Sequence, residues 1–338
     1  MKTGDVNALL EFLRPLLPMP WERFMGEALY HPDLGYYARG KVRTGRKGDF
    51  FTNVSVGAMY GRLLALDLEQ RWERLGRPAR FTVVEQGAND GLLARDLLAA
   101  AAGAFREVLQ YVIVEPFAAL ETLQREALKT VPSVRWYKSL ATVPAWTGAH
   151  LSNELIDAFP VRRVVFRSDR WWECGVDWQN GTLAWCDLPL QGVPPQAAGS
   201  EGFITEVRNH DAPWLRDVLE RMERGWVLAV DYGMEREAYY DDSRNEGTLR
   251  AYRNHSVSKD LLAAPGEQDL TAHVEWTTLR EVVGSSASMQ DQHRFLMAQA
   301  ERLFAKGNLD AAARRQFMTL IHPEMMGRAF QVLEVEKT

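Results

Sequence analysis

The chain has 338 residues, with 40 Lys and Arg against 45 Asp and Glu, a net charge of −5, and 46% hydrophobic and 25% charged residues. That balance suits a folded protein with a sizeable core. It argues against nucleic acid as the main partner, because a phosphate-binding surface shows as a basic face or stripe. Two cysteines, Cys174 and Cys186, are too few for a disulfide framework or a cysteine zinc site, and read as free packed thiols.

The N-terminal stretch MKTGDVNALLEFLRPLLPMPWERF has apolar residues at helical spacing, broken by Pro15 and Pro18. It lacks the continuous apolar core of a signal peptide, and no later stretch is long enough to span a bilayer. The expectation is a cytoplasmic protein with no membrane partner. Residues 1–80 read as an N-terminal helical cap and lid segment. Within it, residues 40–56 carry glycines at 40, 45 and 48 among four basic residues, which suits a loop that orders over a ligand.

From Phe81 onward the pattern changes. Short apolar runs, FTVV (81–84), YVIV (111–114), VRWY (134–137), HLS (150–152) and WVLAV (226–230), are bounded by turn residues. The stretches 92–105 and 117–130 between the first three suit helices. Such alternation predicts a parallel sheet covered on both faces, a Rossmann-like α/β domain over 81–338. Residues 161–188 instead alternate polar and apolar, with Ser168-Asp169 and Asn180-Gly181 as turn signals. They predict an antiparallel meander, inserted at about 161–225 between the fourth and fifth parallel strands. Its tryptophans (Trp171, Trp172, Trp178, Trp185) read as packing residues rather than a ligand cage. Residues 288–299 and 328–337 read as a final strand pair around a helical excursion.

The sequence Glu85-Gln86-Gly87-Ala88-Asn89-Asp90-Gly91-Leu92 follows a strand and opens a helix. There the chain must turn sharply, bring backbone close to a ligand and present helix N-terminal N–H groups. Gly87 and Gly91 meet those needs, and Asn89 tolerates the positive φ of a missing middle glycine. An ordinary strand–helix turn is the alternative. Glu115 follows the second strand at the place where an acidic residue accepts hydrogen bonds from ribose hydroxyls, unless it is simply a solvated strand-end carboxylate. Together these features point to an adenosine-containing cofactor without separating S-adenosylmethionine from NAD, although the Glu-x-Gly-x-x-x-Gly spacing favours the methyl donor. The fourth strand ends in Ser152-Asn153-Glu154-Leu155-Ile156-Asp157. One helical turn would put Glu154 and Asp157 on one side, where two carboxylates could hold a guanidinium. Alternatively, Asn153 and Asp157 cap a following helix. His255 and His273 read as hydrogen-bonded loop residues, with proton transfer as the lesser alternative, and no residue set has metal-ligand spacing.

The ordered segments Leu29-Tyr30-His31-Pro32, Gly35-Tyr36-Tyr37, Lys47–Thr52, Glu85–Gly91, Asn153-Glu154, Asp157–Val161, Asp231-Tyr232-Gly233, Gly247–Tyr252 and Asp269–Val274 resemble the MidA family. These are class I S-adenosylmethionine-dependent methyltransferases that include a mitochondrial protein arginine methyltransferase. The resemblance implies that Glu85, Gly87, Ala88, Asn89, Gly91 and Glu115 bind S-adenosylmethionine. It implies that Gly48, Asp49, Phe50 and Thr52 close over it. Asn153, Glu154 and Asp157 would line the pocket of a methyl acceptor, expected to be a protein arginine. Two departures stand out. Thr52-Asn53-Val54-Ser55 replaces the usual Thr-Ala-Pro-Glu, and Asn89 replaces a glycine. They keep open another acceptor, a small molecule or a different side chain, and a non-catalytic assembly factor with a retained donor site. An NAD-dependent oxidoreductase is disfavoured by the spacing.

Overall fold

The apolar runs from Phe81 onward assemble as one sheet in this computed structural model, which describes residues 4–40, 52–131, 134–253, 256–305, 307 and 309–338. The chain divides into two units, each discontinuous in sequence. One comprises Met1–Val42, Ile156–Pro213 and Gly233–Leu279; the other comprises Arg43–Leu155, Trp214–Tyr232 and Arg280–Thr338.

The second unit is built on the strands β1 (Phe81–Gln86), β2 (Leu109–Val114), β3 (Val134–Tyr137), β4 (Trp146–Asn153), β5 (Met222–Met234, through Tyr232), β6 (Ala287–Asp291) and β7 (Phe330–Lys337). Their spatial order is β3-β2-β1-β4-β5-β7-β6. The first five are parallel, and β7 runs antiparallel to both β5 and β6. This is the α/β class expected from the sequence, and the final strand pair is where the pattern places it. Burial along β1, β2 and β4 is nearly continuous, as a sheet covered on both faces requires. The helix expected over 92–105 is two, Leu92–Ala100 and Gly103–Val108. Gly103 has φ +56, a conformation that ends one helix and begins the next.

The helix Met59–Arg74 belongs to this unit and packs on Leu92–Ala100. Gly61 permits the approach: a Cβ there would lie 2.7 Å from the backbone nitrogen of Leu97 and 2.8 Å from Asp96 Cβ.

The first unit contains the antiparallel meander. Arg162–Arg167, Arg170–Gln179 and Thr182–Pro189 pair in succession, with Ile204–Val207 added on the first and Met19–Pro20 on the second. Both central residues of each hairpin turn are left-handed, Ser168 and Asp169 at +52 and +59, Asn180 and Gly181 at +51 and +85. That is the turn whose twist matches the strands. Trp171 packs edge-on against Phe166 and Phe203, and Trp185 lies 5.1 Å from Trp21, so these two pack as expected. Arg162 and Glu173 form a buried ion pair between adjacent strands. Cys174 and Cys186 are free thiols.

Replacing Gly61 by Val is expected to force the two helices apart and to cost about 1–3 kcal/mol, the usual scale for overpacking. Chemical denaturation measures this; an unchanged midpoint would contradict the close helix contact.

Candidate functional site

At the carboxyl end of β1 the chain makes the turn that opens the helix Leu92–Ala100. Gly87, Asn89 and Gly91 have φ of +78, +47 and +79, so Asn89 adopts the left-handed conformation expected of a residue in a glycine's place. A Cβ on Gly91 would come within 3.1 Å of Gln124 Cα, and one on Gly87 within 3.2 Å of the Leu155 side chain. The Gly91 N–H donates to the Ala88 carbonyl at 2.8 Å, and Asp90 accepts from the Leu92 N–H at 3.2 Å, closing the helix start. Glu85 is buried at the end of β1 and accepts from the Tyr111 hydroxyl at 2.8 Å. Burial pushes its pKa up to about 7, against the Tyr111 hydrogen bond.

Glu115, directly after β2, is 3% exposed. One carboxylate oxygen accepts from the Phe117 N–H at 2.9 Å, the other from Gln124 Nε2 at 2.8 Å. Burial also raises this carboxyl to about 7. The solvated strand-end reading therefore does not describe it. Gln124, which sequence reasoning missed, is the hub of this region. Its amide nitrogen also donates to the Asn89 carbonyl at 3.0 Å, and its oxygen accepts from Trp136 Nε1 at 3.1 Å. One buried carboxamide thus ties the glycine turn to the acidic strand end. A glutamine mid-helix carries no motif signal, which is why it escaped notice.

Beyond β4 the chain does not enter a helix. Glu154 has φ +53, and only a short 3-10 turn, Ile156–Ala158, follows. The expected helical turn through Glu154 and Asp157 is absent, and so is a helix for Asn153 or Asp157 to cap. The reason is pairing with β5. The Glu154 N–H donates to the Val230 carbonyl at 2.9 Å, and the Leu155 N–H donates to Asp231 Oδ2 at 3.2 Å. Following those acceptors forces Glu154 into the left-handed region, a strained place for a non-glycine residue. Its Oε1 accepts from Asn153 Nδ2 at 3.0 Å and from the Asn53 N–H at 3.3 Å. Asn53 Nδ2 donates to Asn153 Oδ1 at 3.2 Å. Ser55, where a carboxylate was expected, is spent on its own turn, exchanging hydrogen bonds with Thr52. Gly48, Asp49 and Phe50, with most of the segment read as a lid, lie outside the described residues.

Asp157 falls in the first unit. It is buried, and its carbonyl accepts from the Ala272 N–H at 2.9 Å. Buried Arg208 holds the neighbouring Ile156 carbonyl and those of Ala272 and His273, paired throughout with Asp211. His273 is pushed down to about 4 by burial, reinforced by Arg250, Arg244 and Arg208, so it stays neutral at physiological pH. His255 lies outside the described residues.

A parallel sheet with a glycine turn after its first strand and a buried acid after its second defines a nucleotide-cofactor enzyme, and the comparisons identify the chemistry. Residues 63–293 match the family described as "Putative S-adenosyl-L-methionine-dependent methyltransferase". A Burkholderia thailandensis protein with bound S-adenosylhomocysteine is similar at TM-score 0.89 and 30% identity, over 99% of this chain and 93% of that one. Relatives named mitochondrial protein arginine methyltransferase NDUFAF7 are 27% identical in Homo sapiens and 26% in Drosophila melanogaster, where the name adds "homolog". The matches cover 97% and 94% of this chain and 82% and 81% of those proteins. The chain is therefore an S-adenosylmethionine-dependent methyltransferase. It belongs to the MidA family of class I enzymes. These mitochondrial relatives overturn the cytoplasmic expectation. Composition and charge are shared by proteins of any aqueous compartment and could not select one.

The residues fit such a donor on two counts. The turn holds Gly87 and Gly91 at positive φ with little room for a side chain, and Asn89 Oδ1 is buried with no partner among the described residues. The raised pKa of Glu115 yields a test. If Glu115 accepts from the ribose hydroxyls, as the sequence predicts, ligand binding stabilises the charged form. Affinity for S-adenosylhomocysteine is expected to weaken as the pH falls through about 7. In the free protein the same raised pKa gives stability that is present at low pH and lost as the pH rises from 4.5 through about 7. Glu115→Gln should reduce both dependences, leaving the contribution of Glu85 to stability, and weaken binding by about 1.5–3 kcal/mol. Calorimetry showing unchanged affinity and an unchanged pH profile would remove Glu115 from the site.

Proposed function

We propose that this enzyme methylates a guanidinium nitrogen of arginine in a protein substrate. The observation that carries this reading is Glu154, an acidic residue held at φ +53 at the carboxyl end of a central strand by Val230, Asn153 and Asn53. Strain of this kind persists where surrounding structure imposes it, and clusters at functional sites. The names of the human and Drosophila relatives support the same acceptor.

S-adenosylmethionine supplies a methyl carbon on a positively charged sulfur that departs as a neutral thioether. Gly87, Ala88, Asn89 and Gly91 would hold the donor through their backbone and Glu115 would accept from its ribose, while Glu85 holds the strand end through Tyr111. A guanidinium is charged at neutral pH, so its binding must be matched by negative charge. Glu154 provides that charge and orients the nitrogen. The nitrogen forms the new C–N bond with its own electron pair and gives up one proton, which Glu154 is placed to take. Bringing the two reactants together in line is most of what such an enzyme must do. Asp157 lies in the other unit, and the assignment rests on Glu154 alone.

A second reading keeps the donor site and changes the acceptor, favoured by Asn53 and Ser55 standing where the family carries Ala and Glu. Glu154→Gln separates the two, since it removes the charge and keeps the size. It is expected to leave S-adenosylhomocysteine affinity within about twofold and to lower turnover at least about tenfold, equivalent to about 1.4 kcal/mol of transition-state stabilisation. Full activity of the variant on the methylated substrate would defeat the guanidinium reading and leave methyl transfer standing.

A further inference from the structure

The amide orientations at Asn153 and Asn53 follow from the carboxylate beside them. An ionised carboxylate only accepts hydrogen bonds, so Asn153 must turn Nδ2 toward Glu154 Oε1, 3.0 Å away. Its Oδ1 then faces Asn53, which must donate through Nδ2 at 3.2 Å. This chain of polarity leaves Asn53 Oδ1 as an acceptor. Asn53 is 0% exposed, and that oxygen has no hydrogen-bond donor among the described residues. A second polar atom nearby is in the same state. The Tyr60 hydroxyl is buried without a partner among the described residues; burial first, and then the charges of Glu154, Glu85 and Asp231, hold it in its neutral form. Buried polar atoms are almost always satisfied, and leaving one unmet is costly. An unmet acceptor one hydrogen-bonded step from a strained carboxylate calls for a donor that the described residues do not provide.

We propose that Asn53 Oδ1 acts with the Glu154 carboxylate as a pair of acceptors for two N–H groups of the substrate guanidinium, making Asn53 a specificity-determining residue. The proposal rests on the arginine reading given above. A guanidinium presents five N–H donors in one plane, so two acceptors can be met at once while one nitrogen faces the methyl donor. A hydroxyl or thiol acceptor has a single donor and would leave one of the pair unmet.

The test uses the full-length enzyme, methyl-labelled S-adenosylmethionine and total protein from a cell extract as acceptor, with the label located by hydrolysis to amino acids. Asn53→Ala removes the acceptor oxygen and adds no bulk. It should keep S-adenosylhomocysteine affinity within about twofold and lose about tenfold or more in the rate of arginine labelling at low acceptor concentration, the scale of a lost hydrogen bond to a charged group. Asn53→Asp retains an acceptor oxygen and loses the donor to Asn153, so it should recover most of the rate. Arginine labelling at the wild-type rate by Asn53→Ala would overturn the proposal. Equal loss in both variants would also overturn it, since Asn53 would then act only by propping Asn153. Should the Ala variant fail to fold, the Asp variant alone decides, by labelling near the wild-type rate or by losing it. Label from the wild-type enzyme on a residue other than arginine is a separate result, and it would remove the arginine reading together with this inference.

Discussion

Carboxylates buried at the carboxyl edge of the sheet set the terms for the rest of the second unit. Glu85 lies near the end of β1, Glu115 follows β2 and Asp231 lies near the end of β5, all three at most 3% exposed, with Glu154 after β4 between them. Taking such groups out of water costs several kcal/mol each unless they are neutralised or hydrogen-bonded. Neither Glu85 nor Glu115 takes part in an ion pair among the described residues. Neutral donors hold them instead: the Tyr111 hydroxyl, the Phe117 N–H and the Gln124 amide. Dipoles offset only part of the desolvation, and both carboxyls stay near pKa 7. Such an edge is poised for ligands that bring hydrogen-bond donors or positive charge, and the substrates of this reaction bring both.

Several local features follow from that constraint. Gln124 must reach both Glu115 and the Asn89 carbonyl, which fixes the helix Ala118–Ala127 close to the glycine turn, so that a Cβ at Gly91 would crowd Gln124. Asp231 draws the Leu155 N–H while Val230 draws that of Glu154, and the backbone between them is left-handed. His150, inside β4, is pushed down to about 3 by burial and hydrogen-bonds Gln86, which also accepts from Trp214. That imidazole therefore stays neutral at physiological pH.

The fold was largely legible in the sequence because apolar runs of strand length, glycine turns and an Asn-Gly hairpin are local signals. The runs 81–84 and 226–230 recovered the start of β1 and the centre of β5 but not their full extents, since strand ends depend on neighbours rather than on their own composition. The turn at 87–91 and the acid at 115 were readable for the same reason: their spacing is set within one strand–helix–strand unit. What could not be read were partners distant in sequence. Nothing local marks Gln124 as the link between residues 89 and 115, or Asn53 as the neighbour of Asn153, a hundred positions away. The helical turn expected at Glu154 failed because pairing with β5 outweighs the i, i+3 pattern. Arg208 was missed likewise, being defined by carbonyls at residues 156, 272 and 273.

The most direct measurement is the titration of the Glu115 side-chain carboxyl by carbon NMR in enzyme labelled at glutamate, assigned by comparison with Glu115→Gln. In the free protein the midpoint should lie near 7, and saturating S-adenosylhomocysteine should move it to lower pH as ribose hydroxyls stabilise the charged form. A midpoint at an ordinary carboxylate value in the free protein, unmoved by the ligand, would contradict a cofactor site founded on buried carboxylates.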